Sequence, residues 1–387
     1  MRRLPCLLTL AALALVVACR GANSSAPADP AAPAAAASGG FTVETVAAHL
    51  EIPWSLSFLP DGRLIFTERP GRIGILDLKG ALPAKPTPVT GIPEEVSPVG
   101  EGGLMGLALH PQFGTNHWLY LSFTYSAGGR DFRNRVVRYR LDGTHLTELK
   151  VIVPELPGAG VHDGCRLRFG PDGKLYITTG DSAQRELAQK MDSLGGKILR
   201  LNDDGTVPAD NPFPGSPIFT FGHRNPQGID WQPGTKRCYE AEHGPSGFDG
   251  PGGGDEVNYI EAGKNYGWPV IHHRQTNEGM VSPIAEYTPA TAPSGCSFYT
   301  GDKFSAWKGN LFVCFLRGED LQRLSFDRTD PNKVLTNEGL FHGKYGRLRD
   351  CLTGPDGALY FCTSNQDGRG SPAADDDRIL RIVPAPR

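Results

Sequence analysis

No charge of one sign dominates this chain. Its 39 Lys and Arg stand against 42 Asp and Glu, scattered rather than striped, for a formal net charge of −3 over 387 residues. That balance excludes the basic footprint through which proteins hold nucleic acid. Long hydrophobic runs are missing too: the apolar stretch from Leu7 to Ala18 is too short for a membrane-spanning anchor. Helical periodicity is almost absent, which argues against a bundle or a helical solenoid. Cysteine is sparse, 8 in all, and the spacing announces no disulfide framework.

Turn formers, by contrast, are abundant. The chain carries 49 Gly and 33 Pro, yet 39% of it is apolar, enough for a large buried core. The turns recur with a period. Phe58-Leu-Pro-Asp-Gly-Arg-Leu-Ile, Leu109-His-Pro-Gln-Phe, Phe169-Gly-Pro-Asp-Gly-Lys-Leu-Tyr and Thr353-Gly-Pro-Asp-Gly-Ala-Leu-Tyr each read as strand, tight turn, strand, and Trp231-Gln-Pro-Gly-Thr and Phe298-Tyr-Thr-Gly-Asp are looser copies. Their turn positions, Pro60, Pro111, Pro171, Pro233, Asp302 and Pro355, lie 51 to 69 residues apart, the period of propeller blades. The fold predicted is all-β, a six-bladed β-propeller over residues 41–387. Third strands follow the hairpins, as in Lys197-Ile-Leu-Arg-Leu and Arg378-Ile-Leu-Arg-Ile, where alternation predicts half-buried strands. The last of these and the run from Phe41 are expected to share one blade and close the ring.

The first residues read as an address. Arg2 and Arg3 precede the apolar run, which ends in Val16-Val17-Ala18-Cys19. This predicts a bacterial lipoprotein signal over 1–18, a lipid on Cys19, and an exported, periplasmic protein whose membrane contact is that anchor alone. An ordinary secretory signal is the alternative. Residues 19–40, rich in Ala, Pro, Ser and Gly, read as a flexible tether. Export permits disulfides, but Cys351 and Cys362 are diagonal neighbours across the Gly354–Gly357 turn if residue 351 faces 360, at the edge of disulfide reach.

One strand length before the turns, polar residues recur: Glu101, His162, Arg224 with Asn225, and Arg347 with Arg349. Equivalent loops of a propeller open on one face, so these converge on one pocket. Pairing 170 with 173 and continuing outward sets His162 opposite Asp181, and a histidine held in one tautomer by a carboxylate suits a general base. The arginines favour an anionic, planar ligand. The Gly-rich stretch from Glu242 to Glu256 could turn carbonyls and carboxylates onto calcium. Tyr287 and Trp268 are candidates either for stacking on a ligand or for burial in the core.

These same residues carry a resemblance. His162 with Arg166-Leu-Arg-Phe-Gly-Pro-Asp-Gly, Gly195-Gly-Lys-Ile-Leu-Arg-Leu, Gly222-His-Arg-Asn-Pro-Gln-Gly, Glu242-His-Gly-Pro, Asp255-Glu-Val-Asn, Gly263-Lys-Asn-Tyr-Gly-Trp-Pro and Arg347-Leu-Arg-Asp resemble the soluble quinoprotein glucose dehydrogenase and aldose sugar dehydrogenase family, from about residue 42 to 384. The resemblance implies a six-bladed propeller that binds pyrroloquinoline quinone and Ca2+, oxidises aldose sugars at the anomeric carbon and passes electrons to an external acceptor of cytochrome or quinone type. It implies that His162 is the base, oriented by Asp181. Arg224 and Asn225 would contact the quinone oxygens, and Glu101, Arg317, Arg347 and Arg349 would line the cofactor. Gly244 and Pro245 would offer carbonyls to the cofactor-bound calcium, and Glu256 and Tyr266 would serve a second, structural calcium. Two positions depart from the pattern: Glu101 replaces a glutamine and Arg317 a lysine. A carboxylate beside an anionic cofactor is costly unless calcium, an arginine or a proton compensates it. The alternatives are a non-catalytic propeller of the same ancestry that binds sugar or protein, and a calcium-dependent lactonase-type hydrolase.

Overall fold

Each repeated turn closes a hairpin between the two inner strands of a blade. In the computed structural model, which describes residues 40–386, the hairpins extend into six four-stranded antiparallel sheets. Apart from Gly40, the signal and tether segments lie outside the described residues. The blades begin at Pro53, Leu104, Gly164, Pro226, Pro293 and Leu348. The sixth consists of Leu348–Thr353, Leu359–Thr363, Ile379–Pro384 and the opening strand Phe41–Ala47. The N-terminal strand therefore pairs with the C-terminal one, Val43 opposite Ile382, and the ring closes as the sequence predicts.

The third strand of the third blade is more buried than its alternation suggests, while those of the second, fifth and sixth blades are half-buried as expected. Lys197–Leu201 is buried at every position because neighbouring blades cover both faces. Lys197 is tolerated there because its Nζ donates to the carbonyls of Leu187, Ala188 and Gly195 at 2.7, 3.0 and 2.7 Å. Inner strands of adjacent blades approach so closely that a Cβ on Gly106 would stand 2.3 Å from the Cys165 carbonyl oxygen and one on Gly228 2.5 Å from that of Ser294. Near the axis, Arg166 of the third blade meets Asp350 of the sixth at 3.1 Å, both fully buried. The Arg166 guanidinium also lies 4.2 Å from the Trp54 ring centroid.

Cys351 faces Phe361, not residue 360, and Cys362 faces Asp350. The extra residue in the turn displaces the register by one and sends the two thiols into different clusters. Both are free, as are the other four described cysteines.

Candidate active site

The hairpin carrying His162 reaches its geometry through two offsets. The strands pair Leu167 with Ile177 and Phe169 with Leu175, and Gly170 bonds to Lys174. The expected 170–173 register is therefore one residue out. A bulge between Gly164 and Leu167 restores it, so Gly164 faces Thr179. Left-handed backbone at His162 (φ 59°), Gly164 (φ 64°) and Cys165 (φ 67°) makes that kink. Beyond it, His162 Nδ1 stands 2.7 Å from Asp181 Oδ1.

The remaining contacts assign the protons. Asp181 Oδ1 also accepts from the Ala183 N–H at 2.9 Å and Oδ2 from the Trp268 indole N–H at 2.8 Å. Arg224 Nη2 donates to His162 Nε2 at 2.9 Å. Nδ1 therefore carries the imidazole proton and Nε2 the lone pair. Arg224 is itself held by Asp249, with Nε 2.7 Å from Oδ2, and by Ser246 Oγ at 2.9 Å. Asn225 Oδ1 accepts from the Gly164 N–H at 3.1 Å.

His162 opens on a pocket of about 630 Å³, also lined by Glu101, Gly244, Arg317, Arg347 and Arg349. Six positions expected from the repeat and the resemblance thus share one wall. Asp181, Arg224 and Asn225 stand behind it rather than on it, together with Pro245, Glu256 and Tyr266. The carboxylate of Asp367 takes Arg347 at 2.8 Å and Arg349 at 3.8 Å, and burial lowers the Arg349 guanidinium to about 10. Burial likewise lowers His243 to about 4, so its ring is neutral at pH 7. Sequence reasoning missed Arg69, Asp367 and Arg369 on this wall.

The wall suits an anion. Among the described residues, neither Arg69 nor Arg317 has a carboxylate within ion-pair distance. Arg349 Nε is buried without a hydrogen-bond partner, and such a donor awaits an acceptor. The aromatic surface offered to a ligand is Phe248, 68% exposed and stacked on His162 with ring centroids 5.9 Å apart. Trp268 is buried against Asp181, and Tyr287 lies on an outer strand bonded to Asn337 at 3.0 Å. Neither lines the pocket.

Behind the wall is a nest of acids. Glu240 and Glu242 alternate along one strand, and Glu256 pairs with Glu242 on the next. Asn258 Nδ2 bridges all three carboxylates at 3.1 to 3.3 Å, and His223 Nδ1 is 3.0 Å from Glu242 Oε1. Burial, then the charge of Glu242, pushes the Glu240 and Glu256 carboxyls well up. Glu240 Oε1 and Asn258 Oδ1 are buried without partners. An oxygen-rich set with unsatisfied acceptors suits a hard cation such as Ca2+. The Tyr266 phenol is engaged elsewhere, donating to the Tyr259 carbonyl at 2.7 Å, which leaves its backbone carbonyl as the group it could offer. The Pro245 carbonyl accepts from the Gly253 N–H at 3.1 Å. A Cβ on Gly244 would stand 2.2 Å from the Gly254 carbonyl oxygen, which explains why glycine is needed there. The sequence signal for the acids was the Glu-Ala-Glu alternation.

A family model described as "Glucose / Sorbosone dehydrogenase" matches residues 50–380. Aldose sugar dehydrogenase YliI of Escherichia coli is 35% identical over 361 residues, spanning 86% of this chain and 92% of that protein. Quinoprotein glucose dehydrogenase B of Acinetobacter calcoaceticus is 32% identical over 368 residues, spanning 83% and 74%. The PQQ-bound form of aldose sugar dehydrogenase from Streptomyces coelicolor superposes with a TM-score of 0.78 at 36% identity, covering 89% of this chain and 98% of that one.

Proposed function

We propose that this chain, which belongs to the glucose/sorbosone dehydrogenase family, is a quinoprotein that oxidises aldose sugars at the anomeric carbon to lactones. The observation that carries this reading is His162, its Nδ1 proton held by Asp181 and its ring on the lining of an arginine-rich pocket. Pyrroloquinoline quinone, when bound, supplies the two-electron acceptor for the hydride that leaves the anomeric carbon. His162 Nε2 takes the proton of the anomeric hydroxyl, and Asp181 stabilises the imidazolium that results. For this the hydroxyl replaces Arg224 at Nε2. Arg224 and Asn225 then donate to oxygens on which negative charge develops, as fixed donors do in a dry site. Arg317, Arg347 and Arg349 hold carboxylates, while Phe248 covers the sugar.

The Gly244 and Pro245 carbonyls would hold the cofactor's calcium, and Glu256 with the Tyr266 carbonyl a second one. Electrons would leave to an external acceptor of cytochrome or quinone type. The lipid on Cys19 and the periplasmic location belong to this proposal as well. It is tested by adding the quinone and Ca2+ to purified apoprotein and following dye reduction with glucose and a panel of aldoses. Reduction with at least one aldose and a raised melting temperature are expected. No reduction with any sugar, together with no shift in melting, would leave a non-catalytic binding propeller as the better account.

A further inference from the structure

The pocket wall contains a carboxylate that its surroundings should disfavour. Glu101 lies just before the inner strand of the second blade, facing the space where the arginines gather. Its Oε1 is 2.5 Å from Nη1 of Arg369, a residue 268 positions away in the loop between the second and third strands of the sixth blade. Its Oε2 accepts the backbone N–H of His162 at 3.1 Å. The Glu101 N–H in turn donates to the Gly160 carbonyl at 3.0 Å. The segment carrying the imidazole is therefore gripped twice by one residue. The approach is close: a Cβ on Gly100 would stand 2.0 Å from the Gly160 carbonyl oxygen. Arg369 is oriented by its own N–H donating to Asp367 Oδ1 at 3.0 Å. Of the other acids of this wall, Asp367 already serves Arg347 and Arg349, and Asp255 accepts from the Gly244 N–H at 2.8 Å. Burial works against ionisation of Glu101, but His243, Arg369 and the His162 N–H outweigh it and hold the carboxyl at about 2. The ion-pair partner of this carboxylate is Arg369.

We propose that Arg369 is a positioning residue: it holds the Glu101 carboxylate where it fixes the His162 backbone, and it cancels a negative charge that would otherwise repel an anionic ligand. The second half rests on the quinone reading above; the first does not. Two outcomes follow from geometry. Without Arg369, Glu101 is a partly buried carboxylate without its ion-pair partner, and it turns toward water and releases the His162 amide. A negative charge that has lost its paired cation then stands nearer the ligand's carboxylates.

The experiment uses Arg369→Ala, Arg369→Lys, Glu101→Gln and the double variant Glu101→Gln/Arg369→Ala. In the apoprotein, amide hydrogen exchange of the peptide spanning residues 158–164 is expected to quicken about tenfold or more in Arg369→Ala and to be largely recovered in Arg369→Lys. Wild-type exchange in Arg369→Ala overturns the positioning role. With Ca2+ present, quenching of tryptophan fluorescence by pyrroloquinoline quinone reports affinity without turnover. Arg369→Ala is expected to weaken binding by about 10- to 100-fold in the native background, and by less than about threefold where residue 101 is glutamine. Equal losses in both backgrounds would make Arg369 a direct ligand contact and overturn the charge-cancelling role. If wild-type protein does not bind the quinone at all, the proposed function falls while the exchange comparison still decides this one.

Discussion

Replacing Trp268 with phenylalanine isolates the support beneath the candidate base. The indole N–H is the donor to Asp181 Oδ2 among the described residues, at 2.8 Å, and Asp181 is fully buried. A hydrogen bond to a buried charged group contributes about 1.5–3 kcal/mol, and an orphaned acceptor costs its desolvation in full. The smaller ring also leaves a cavity, so the raw loss in Trp268→Phe mixes two effects. A cycle with Asp181→Ala and the double variant removes the cavity effect, because it is common to both backgrounds. Urea unfolding of the apoprotein should return a coupling energy of about 1.5–3 kcal/mol. In loaded protein, kcat should fall by about 10- to 100-fold with KM little changed, because the imidazole loses its fixed direction while the pocket wall is intact. Coupling below about 0.5 kcal/mol with wild-type kcat would refute the argument that Trp268 aims His162 through Asp181.

Two other consequences concern charge. Burial pushes the Asp163 carboxyl up to about 7, against about 3.9 in an unfolded chain. Its contribution to stability is therefore fully present below pH 4 and lost as pH rises toward 7, by up to about 4 kcal/mol. Asp163→Asn should flatten the decline of the urea midpoint across that window; an unchanged slope counts against a protonated Asp163. At the acid nest, Ca2+ should raise the melting temperature and a chelator lower it. Glu240→Gln should stabilise the calcium-free protein by relieving repulsion with Glu242 and Glu256, and shrink the calcium-induced shift. A Glu240→Gln protein with the wild-type calcium response would place the ion elsewhere.

Some of this was written locally. The Gly/Pro turns recur because each blade needs one tight hairpin, and a hairpin is specified by a few neighbouring residues. The blade count, the ring closure and the shared pocket of Glu101, His162, Arg347 and Arg349 follow from that period. The His162–Asp181 contact was expected from a register that is one residue out at the turn and brought back by the bulge before Leu167. A bulge leaves no clear mark in sequence, so this agreement owed as much to compensation as to inference.

The sequence by itself determined the repeat, the all-β character and the phase in which polar residues stand, because periodicity is a property of neighbours along the chain. Tertiary structure alone decided that Arg369 reaches Glu101, that Trp268 turns its indole to Asp181 instead of to a sugar, and that Glu240 and Glu242 share a nest with Glu256. The first two pairings join blades or loops far apart in the chain, and the third joins neighbouring strands of one blade. Only closing the ring, which brings the sixth blade's loop beside the second's, sets the distances between them.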